Sequence, residues 1–359
     1  MFFQPKVFVT IVAMSFLIGP AIADDDDGNN VRGRGAVCNG QNDDTAAFQT
    51  TIDKTPAGGV LRVPHGKCVV SGTLVVSRPI TIAGVGLGSQ IYGKNAKTIL
   101  QFVGVNDAVV RDLYLGSASN APGVALLELV NSHHNRIDNV TMLGGYYGLH
   151  LFGSLLNTII DLKTGINFNS GHSAFFGAVA VNQYWVYAER DHTKHISSNA
   201  NTFIAPSLEG GTNGIYLGDL PDPTCAGCIR NGEGSLTITG GAIEGLSQTA
   251  LTVDSTFHPI SVSGVHFEAN QLDVLINQAV NIRLSSIVSL GRIRVQGALT
   301  RNIQITDSIV QQLSTDTTVK RFQLQNITTD LQCTGTSGIV PAFPWDISVI
   351  YTNIGLNCT

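Results

Sequence analysis

Charge is scarce in this chain. Asp, Glu, Lys and Arg make up 13% of its 359 residues, against roughly 25% in ordinary soluble domains. Aromatic residues are also few, at 7%, and no long stretch repeats its apolar residues at helical spacing, so the chain suits stacked neutral strand ladders better than a helical enzyme. Basic excess is missing as well. A net charge of −5 leaves no electrostatic footprint for nucleic acid, and no nucleic-acid partner is expected.

No apolar run reaches the ~20 residues that span a bilayer, so no membrane insertion is expected. The nearest is Val7 to Ile18, which follows Lys6 and precedes Gly19-Pro-Ala-Ile-Ala23. That order of a basic residue, a short apolar run and a small-x-small site is the form of a cleaved export signal. Residues 1–23 are expected to be removed near Ala23, leaving a secreted or periplasmic protein whose residues 24–30, led by Asp24–Asp27, form a solvated acidic segment.

Six cysteines, Cys38, Cys68, Cys225, Cys228, Cys333 and Cys358, are an even number in an exported chain, so disulfides are expected. Neighbouring pairs, 38–68, 225–228 and 333–358, are the expected connectivity. Cys225-Ala-Gly-Cys228 lies between turn-forming stretches, without a second such pair or zinc-spaced histidines. A stapled loop is favoured there over a redox or zinc centre.

What is abundant is glycine, at 39 residues, together with short β-branched runs punctuated by Gly and Asn. Examples are Thr73-Leu-Val-Val76, Ile80-Thr-Ile82, Leu236-Thr-Ile-Thr239 and Ile260-Ser-Val262. Laid over one another, Leu236–Glu244, Ile260–Glu268, Asn281–Ser289 and Ile303–Gln311 recur at spacings of 24, 21 and 22 residues. A strand repeat of that period points to a β-solenoid, because single coils are too short to be stable until they stack on neighbours. The leucine-rich consensus does not fit. The open N-terminal end needs a cover, and Asn42 to Asp53 supplies a helix with an Asn or Asp cap and Phe48 and Ile52 one turn apart.

The run Val31-Arg-Gly-Arg-Gly-Ala-Val-Cys38-Asn-Gly-Gln-Asn-Asp-Asp-Thr-Ala-Ala-Phe-Gln49, with Gly58-Gly-Val-Leu-Arg-Val-Pro-His-Gly66 and Ile80-Thr-Ile-Ala-Gly84, resembles the opening of proteins of the pectate lyase superfamily. Asn135-Arg-Ile-Asp-Asn-Val140 and Phe267-Glu-Ala-Asn270 are similar to rungs of bacterial β-helix enzymes and phage tailspikes. The resemblance implies an all-β fold, a single-stranded right-handed parallel β-helix with an N-terminal capping helix. It also implies a polysaccharide partner; a homo-oligomer, a trimer with contacts through the C-terminal tail, is one assembly open to the chain. Polysaccharide lyases, glycoside hydrolases, uronan epimerases and non-catalytic binding or adhesion modules share this fold, so the fold narrows function without fixing it. The polygalacturonase motifs of this superfamily are absent: Gly171-His172-Ser173 lacks the second Gly and an Asp pair before it. The helix domain is expected over 31–313, with 314–359 as a C-terminal cap or tail.

Two groups of residues are candidates for chemistry. The repeat places Glu209, Glu244 and Glu268 in one column, and equivalent residues on adjacent coils lie ~4.8 Å apart. That spacing suits a pair of glycosidase carboxylates, or oxygen ligands for Ca²⁺, although nothing in the sequence requires a cofactor. In the structural reading, each Glu instead accepts backbone N–H bonds from the Gly turn that follows it.

The second group is Tyr184-Trp185-Val186-Tyr187-Ala188-Glu189-Arg190-Asp191-His192-Thr193-Lys194-His195, dense in the aromatic and ionisable residues the chain otherwise lacks. As a loop it offers Trp185 and Tyr187 to stack on sugar rings, with Lys194 beside them. Arg190 and His192 would serve a β-elimination, alone or with the acidic column. A solvated loop or subunit contact is the alternative. His133-His134 is expected as a turn feature rather than a metal site.

Overall fold

A computed structural model describes residues 29–164, 182–191, 193–218, 234–316, 318–329, 351–352 and 355–356. Every ladder between its strands is parallel, and successive coils share one continuous sheet bent into three faces. Face A carries Val60–Arg62, Thr81–Ala83, Thr158–Ile160, Asn201–Ile204, Leu236–Thr239, Ile260–Ser263 and Val280–Ser285. Face B carries Gly66–Val70, Ser89–Gly93, Lys163–Thr164, Ser207–Glu209, Ala242–Glu244 and His266–Glu268. Face C carries Leu100–Val103, Ala125–Val130, Tyr147–Phe152, Tyr184–Glu189, Asn213–Leu217, Thr249–Asp254 and Leu272–Asn277.

Side chains alternate in and out along each strand, and the inward ones stack coil on coil. Ile82, Val110, Ile137, Ile159, Phe203, Ile238 and Val262 form one such column, all buried. Full burial of a side chain of this size contributes roughly 1.5–3 kcal/mol, so the axial stack supplies the cohesion that a lone coil lacks.

The corners repeat too. Between faces A and B one residue per coil turns the chain with positive φ: Asp112, Asn139, Asp161, Ala205, Gly240 and Gly264 among them. Asn, Asp and Gly tolerate this region with little cost. Between faces C and A, buried side chains bond along the axis. The carboxamide oxygen of Asn157 accepts from the Asn135 backbone N–H at 2.9 Å, and that of Asn201 accepts from the Asn157 N–H at 3.0 Å. Ser132, Ser154 and Ser198 make a parallel row.

The expected N-terminal helix is present as Thr45–Lys54, with Phe48, Thr51 and Ile52 buried over the first coils. Asp44 stands at its cap position but makes no capping bond to the helix. Its carboxylate accepts the backbone N–H groups of Val37, Cys38 and Val69 instead. The Cys38–Cys68 disulfide closes the same end. The other four cysteines lie outside the described residues.

Two boundaries differ from those the repeat predicts. Phe267 pairs with Ser289 and Ile260 with Ile282, so the third segment runs one residue later than Asn281–Ser289, because Asn281 takes positive φ and Ile282 is the inward residue. The ladder also continues past residue 313, with Arg301–Thr315 pairing to Lys320–Thr329. Residues 1–28, including the expected export signal, lie outside the described residues, and no described helix is long and apolar enough to cross a membrane.

Candidate functional site

The glutamate column exists in the expected register: Glu209 pairs with Glu244, and Glu244 with Glu268. Leu208, Ile243 and Phe267 point inward and are buried, which sends the three glutamates outward at the end of face B. The glycine turns that follow are not held by the carboxylates. Gly210 N–H donates to the Glu244 main-chain carbonyl and Gly245 N–H to that of Glu268, each at 3.0 Å. Burial and the neighbouring Glu244 charge raise the Glu209 carboxyl above its ordinary value, against a hydrogen bond from Ser207. Two carboxyl groups side by side, one of them raised relative to the other's ordinary range, form the kind of pairing that general acid catalysis uses. His266 Nε2 lies 3.6 Å from Glu268.

Tyr184–Glu189, expected in a loop, is a strand of face C. Trp185 is buried, and its indole N–H donates to the Gly210 carbonyl at 2.7 Å. It therefore ties face C to the residue after Glu209 and presents no ring face to solvent. Tyr187 is buried as well, stacked between Tyr147 at 4.9 Å and Tyr216 at 5.1 Å. The half-buried rings of this cluster are Tyr146, Tyr147, Tyr184 and Tyr216, with Tyr184 edge-on to Tyr216 at 5.6 Å.

Arg190 follows that strand at the far edge of face C, its guanidinium 3.5 Å from the His195 carbonyl. Asp191 shapes the turn by accepting the Thr193 and Lys194 N–H groups, and Lys194 is exposed. His192 lies outside the described residues. Six strand residues separate this edge from the glutamate corner, about 20 Å at 3.3 Å per residue, so Arg190 and Lys194 do not join the acidic column.

A cluster the repeat did not single out sits on the outer side of face C. His150 bridges two carboxylates, with Nδ1 2.8 Å from Glu128 and Nε2 2.9 Å from Glu189. Gln101 donates to the other Glu128 oxygen at 2.6 Å. Burial opposes charge on His150, but the hydrogen bonds and charges of Glu128 and Glu189 prevail and raise it to about 8. Burial also works against Glu128, which His150 and Gln101 hold below its usual range. Tyr147 stacks on the imidazole at 4.7 Å. The signal was a lone ionisable residue at the outward phase of an apolar run, as in Ala125-Leu-Leu-Glu-Leu-Val130 and Tyr147-Gly-Leu-His-Leu-Phe152. Both imidazole nitrogens are engaged, which makes His150 a brace across three coils rather than a free base.

His133 and His134 lie in a corner of the coil, His134 with positive φ. Among the described residues, the group close enough to hold a metal is Cys38, Asp44 and Cys68, whose sulfurs are joined in the disulfide.

With coil, corner and column in place, the chain is defined by its fold as a right-handed parallel β-helix. Residues 28–150 match the family described as rhamnogalacturonase A/epimerase, pectate lyase-like. The structure is similar to the A-module of the Azotobacter vinelandii mannuronan C-5 epimerase AlgE6, at 15% identity and a TM-score of 0.54, over 84% of this chain and 93% of that one. It is similar to the catalytic unit of a GH87 α-1,3-glucanase from Streptomyces thermodiastaticus, at 13% identity and a TM-score of 0.55, over 86% of this chain and 64% of that one. The Streptococcus pneumoniae surface adhesin PfbA is a third, at 12% identity and a TM-score of 0.52, over 83% of each chain. No curated protein matches the sequence. The chain thus spans less than two thirds of the glucanase unit, and at these identities the likeness concerns the fold.

Proposed function

We propose that the protein is an exported carbohydrate-active enzyme that hydrolyses a polysaccharide, with Glu209 as general acid and Glu244 as the partner carboxylate. The observation that carries this reading is the register of Glu209 against Glu244, together with the raised Glu209 carboxyl. Carboxylates on adjacent coils stand at about the 5–5.5 Å separation of retaining glycosidases. Sugar rings would lie along the B–C corner, where Tyr184 and Tyr216 offer partly exposed rings. Glu268, with His266 beside it, would contact the next sugar along the axis. The polysaccharide-acting neighbours support the substrate class, and the polar–apolar order of residues 1–23 supports export.

β-Elimination through Arg190 and His192 is the less favoured chemistry, since Arg190 stands a face away from the glutamates. A binding role without catalysis is the second reading, favoured by the adhesin neighbour and by the tyrosine-lined corner; a homotrimer of the tailspike kind would suit it.

The test is incubation of the mature protein, with and without Ca²⁺, on a panel of uronans and neutral glycans, following reducing ends and the ultraviolet absorbance of unsaturated ends in parallel. Reducing ends without unsaturation support hydrolysis. Unsaturated ends mean a lyase, and binding without product on any glycan means the binding module.

A further inference from the structure

Away from the glutamate corner, the C-terminal coils of face A carry a cavity of about 450 Å³. One flank is a ladder of long side chains, Arg283, Gln304 and Gln323, paired coil to coil. The other flank is formed by Asn281, Asn302 and Arg321, each with positive φ, which tilts these residues out of the strand plane. Ile282 forms the floor between them. The Asn302 carboxamide donates to Asn281 at 2.9 Å. Among the described residues, no carboxylate lines the cavity, neither guanidinium takes an ion-pair partner and neither glutamine carboxamide a hydrogen bond.

A single unpaired arginine is ordinarily a solvated surface residue. Here two face one concave site in a chain of net charge −5, and the residues between them offer amide donors and acceptors. The guanidinium fork matches a carboxylate with two parallel bonds. Carboxamides repeated at ~4.8 Å along the axis match the hydroxyls of an extended chain. A neutral glycan would leave the two cations without counterparts.

We propose that this groove is a second glycan site, separate from the glutamate corner, that holds an acidic polysaccharide through its uronate carboxylates; the proposal rests on the reading of the protein as polysaccharide-acting. Arg283 and Arg321 take carboxylates, and Gln304, Gln323 and Asn302 take hydroxyls. The site anchors the polymer and leaves the reaction at Glu209 unaltered.

The experiment is calorimetric titration of the full chain with oligogalacturonate, oligomannuronate and a carboxyl-reduced oligomer, for wild type, Arg283→Gln, Arg321→Gln, the double variant and Glu209→Gln. The expected result is uronate binding that weakens with salt, falls roughly tenfold or more in the double variant, falls similarly for the carboxyl-reduced oligomer, and persists in Glu209→Gln. Unchanged melting of the double variant and a parallel loss in Gln304→Ala separate binding from folding. Equal affinity of wild type and double variant, or absence of uronate binding by wild type, overturns the groove assignment. Loss of uronate binding in the double variant together with no product from wild type on any glycan overturns only the catalytic reading.

Discussion

His150 is held between two carboxylates with both ring nitrogens engaged, and its charge is therefore tied to the folded state. Its value of about 8 stands above the ordinary 6.5. A group raised on folding contributes stability that is complete below the unfolded value and is lost as pH rises through the folded one. The difference corresponds to roughly 2 kcal/mol. Thermal unfolding midpoints of the wild type should accordingly fall between pH 6.5 and pH 8, beyond any change in a His150→Gln variant. That variant should be less stable at pH 6 by about 2 kcal/mol, because two half-buried carboxylates lose their shared counter-charge. A wild-type midpoint that stays flat across that interval would show that His150 is neutral in the fold. The composition did not reveal this brace. Glu128 and His150 are in register on adjacent coils, but on the next coil Tyr187 takes that position and Glu189 stands two residues further along, so reading down one column misses the third member.

Among the elements, corners specify the coil as firmly as strands do. Asn157 illustrates this: its carboxamide oxygen receives the Asn135 N–H and Nδ2, while its own Nδ2 donates to the Ser132 carbonyl and to Asn201. Asn157→Ala would leave several of these buried groups without partners, at about 2–4 kcal/mol. Denaturant unfolding should show a lower midpoint with an unchanged slope, and no shift in midpoint would remove the ladder from the account. The strands themselves were legible, since an apolar–x–apolar entry such as Leu236-Thr-Ile238 or Ile260-Ser-Val262 reports the inward face directly. The glutamate column was legible for the same reason, because each Glu follows an inward apolar residue by one position. Tyr184–Glu189 resembles a loop in sequence because its outward face is aromatic and ionisable, and alternation is hidden when the outward residues are as bulky as the inward ones. The burial of Trp185 and Tyr187 is hidden with it, because it depends on Gly210 and on Tyr147 and Tyr216, partners that only the stacked register supplies.

At the scale of the whole molecule, a solenoid has two open ends, and the N-terminal one is closed by the helix Thr45–Lys54 together with the Cys38–Cys68 bond. The disulfide spans 30 residues, for which loop-closure entropy predicts about 3–4 kcal/mol of stabilisation. Replacing both cysteines with serine should lower the unfolding midpoint and raise amide exchange first in the coils nearest the cap, since neighbouring coils support one another. Uniform exchange along the axis would instead mean that the cap is not the weak end. The family-like opening, Val31 to Gly84, made this end the most readable part of the chain. The later coils carry no comparable motif, so their groove of Arg283 and Arg321 emerged only when residues 38 positions apart were placed on one face.

The central claim is that Glu209 and Glu244 act as a catalytic pair. It is tested most directly by the rate of reducing-end release from the best glycan of a panel, measured for wild type, Glu209→Gln and Glu244→Gln at equal melting temperature. Loss of 10²–10⁴ in rate in both variants, with glycan affinity retained, is the predicted result. Rates within a few-fold of wild type in either variant would contradict it and return the column to a purely structural role.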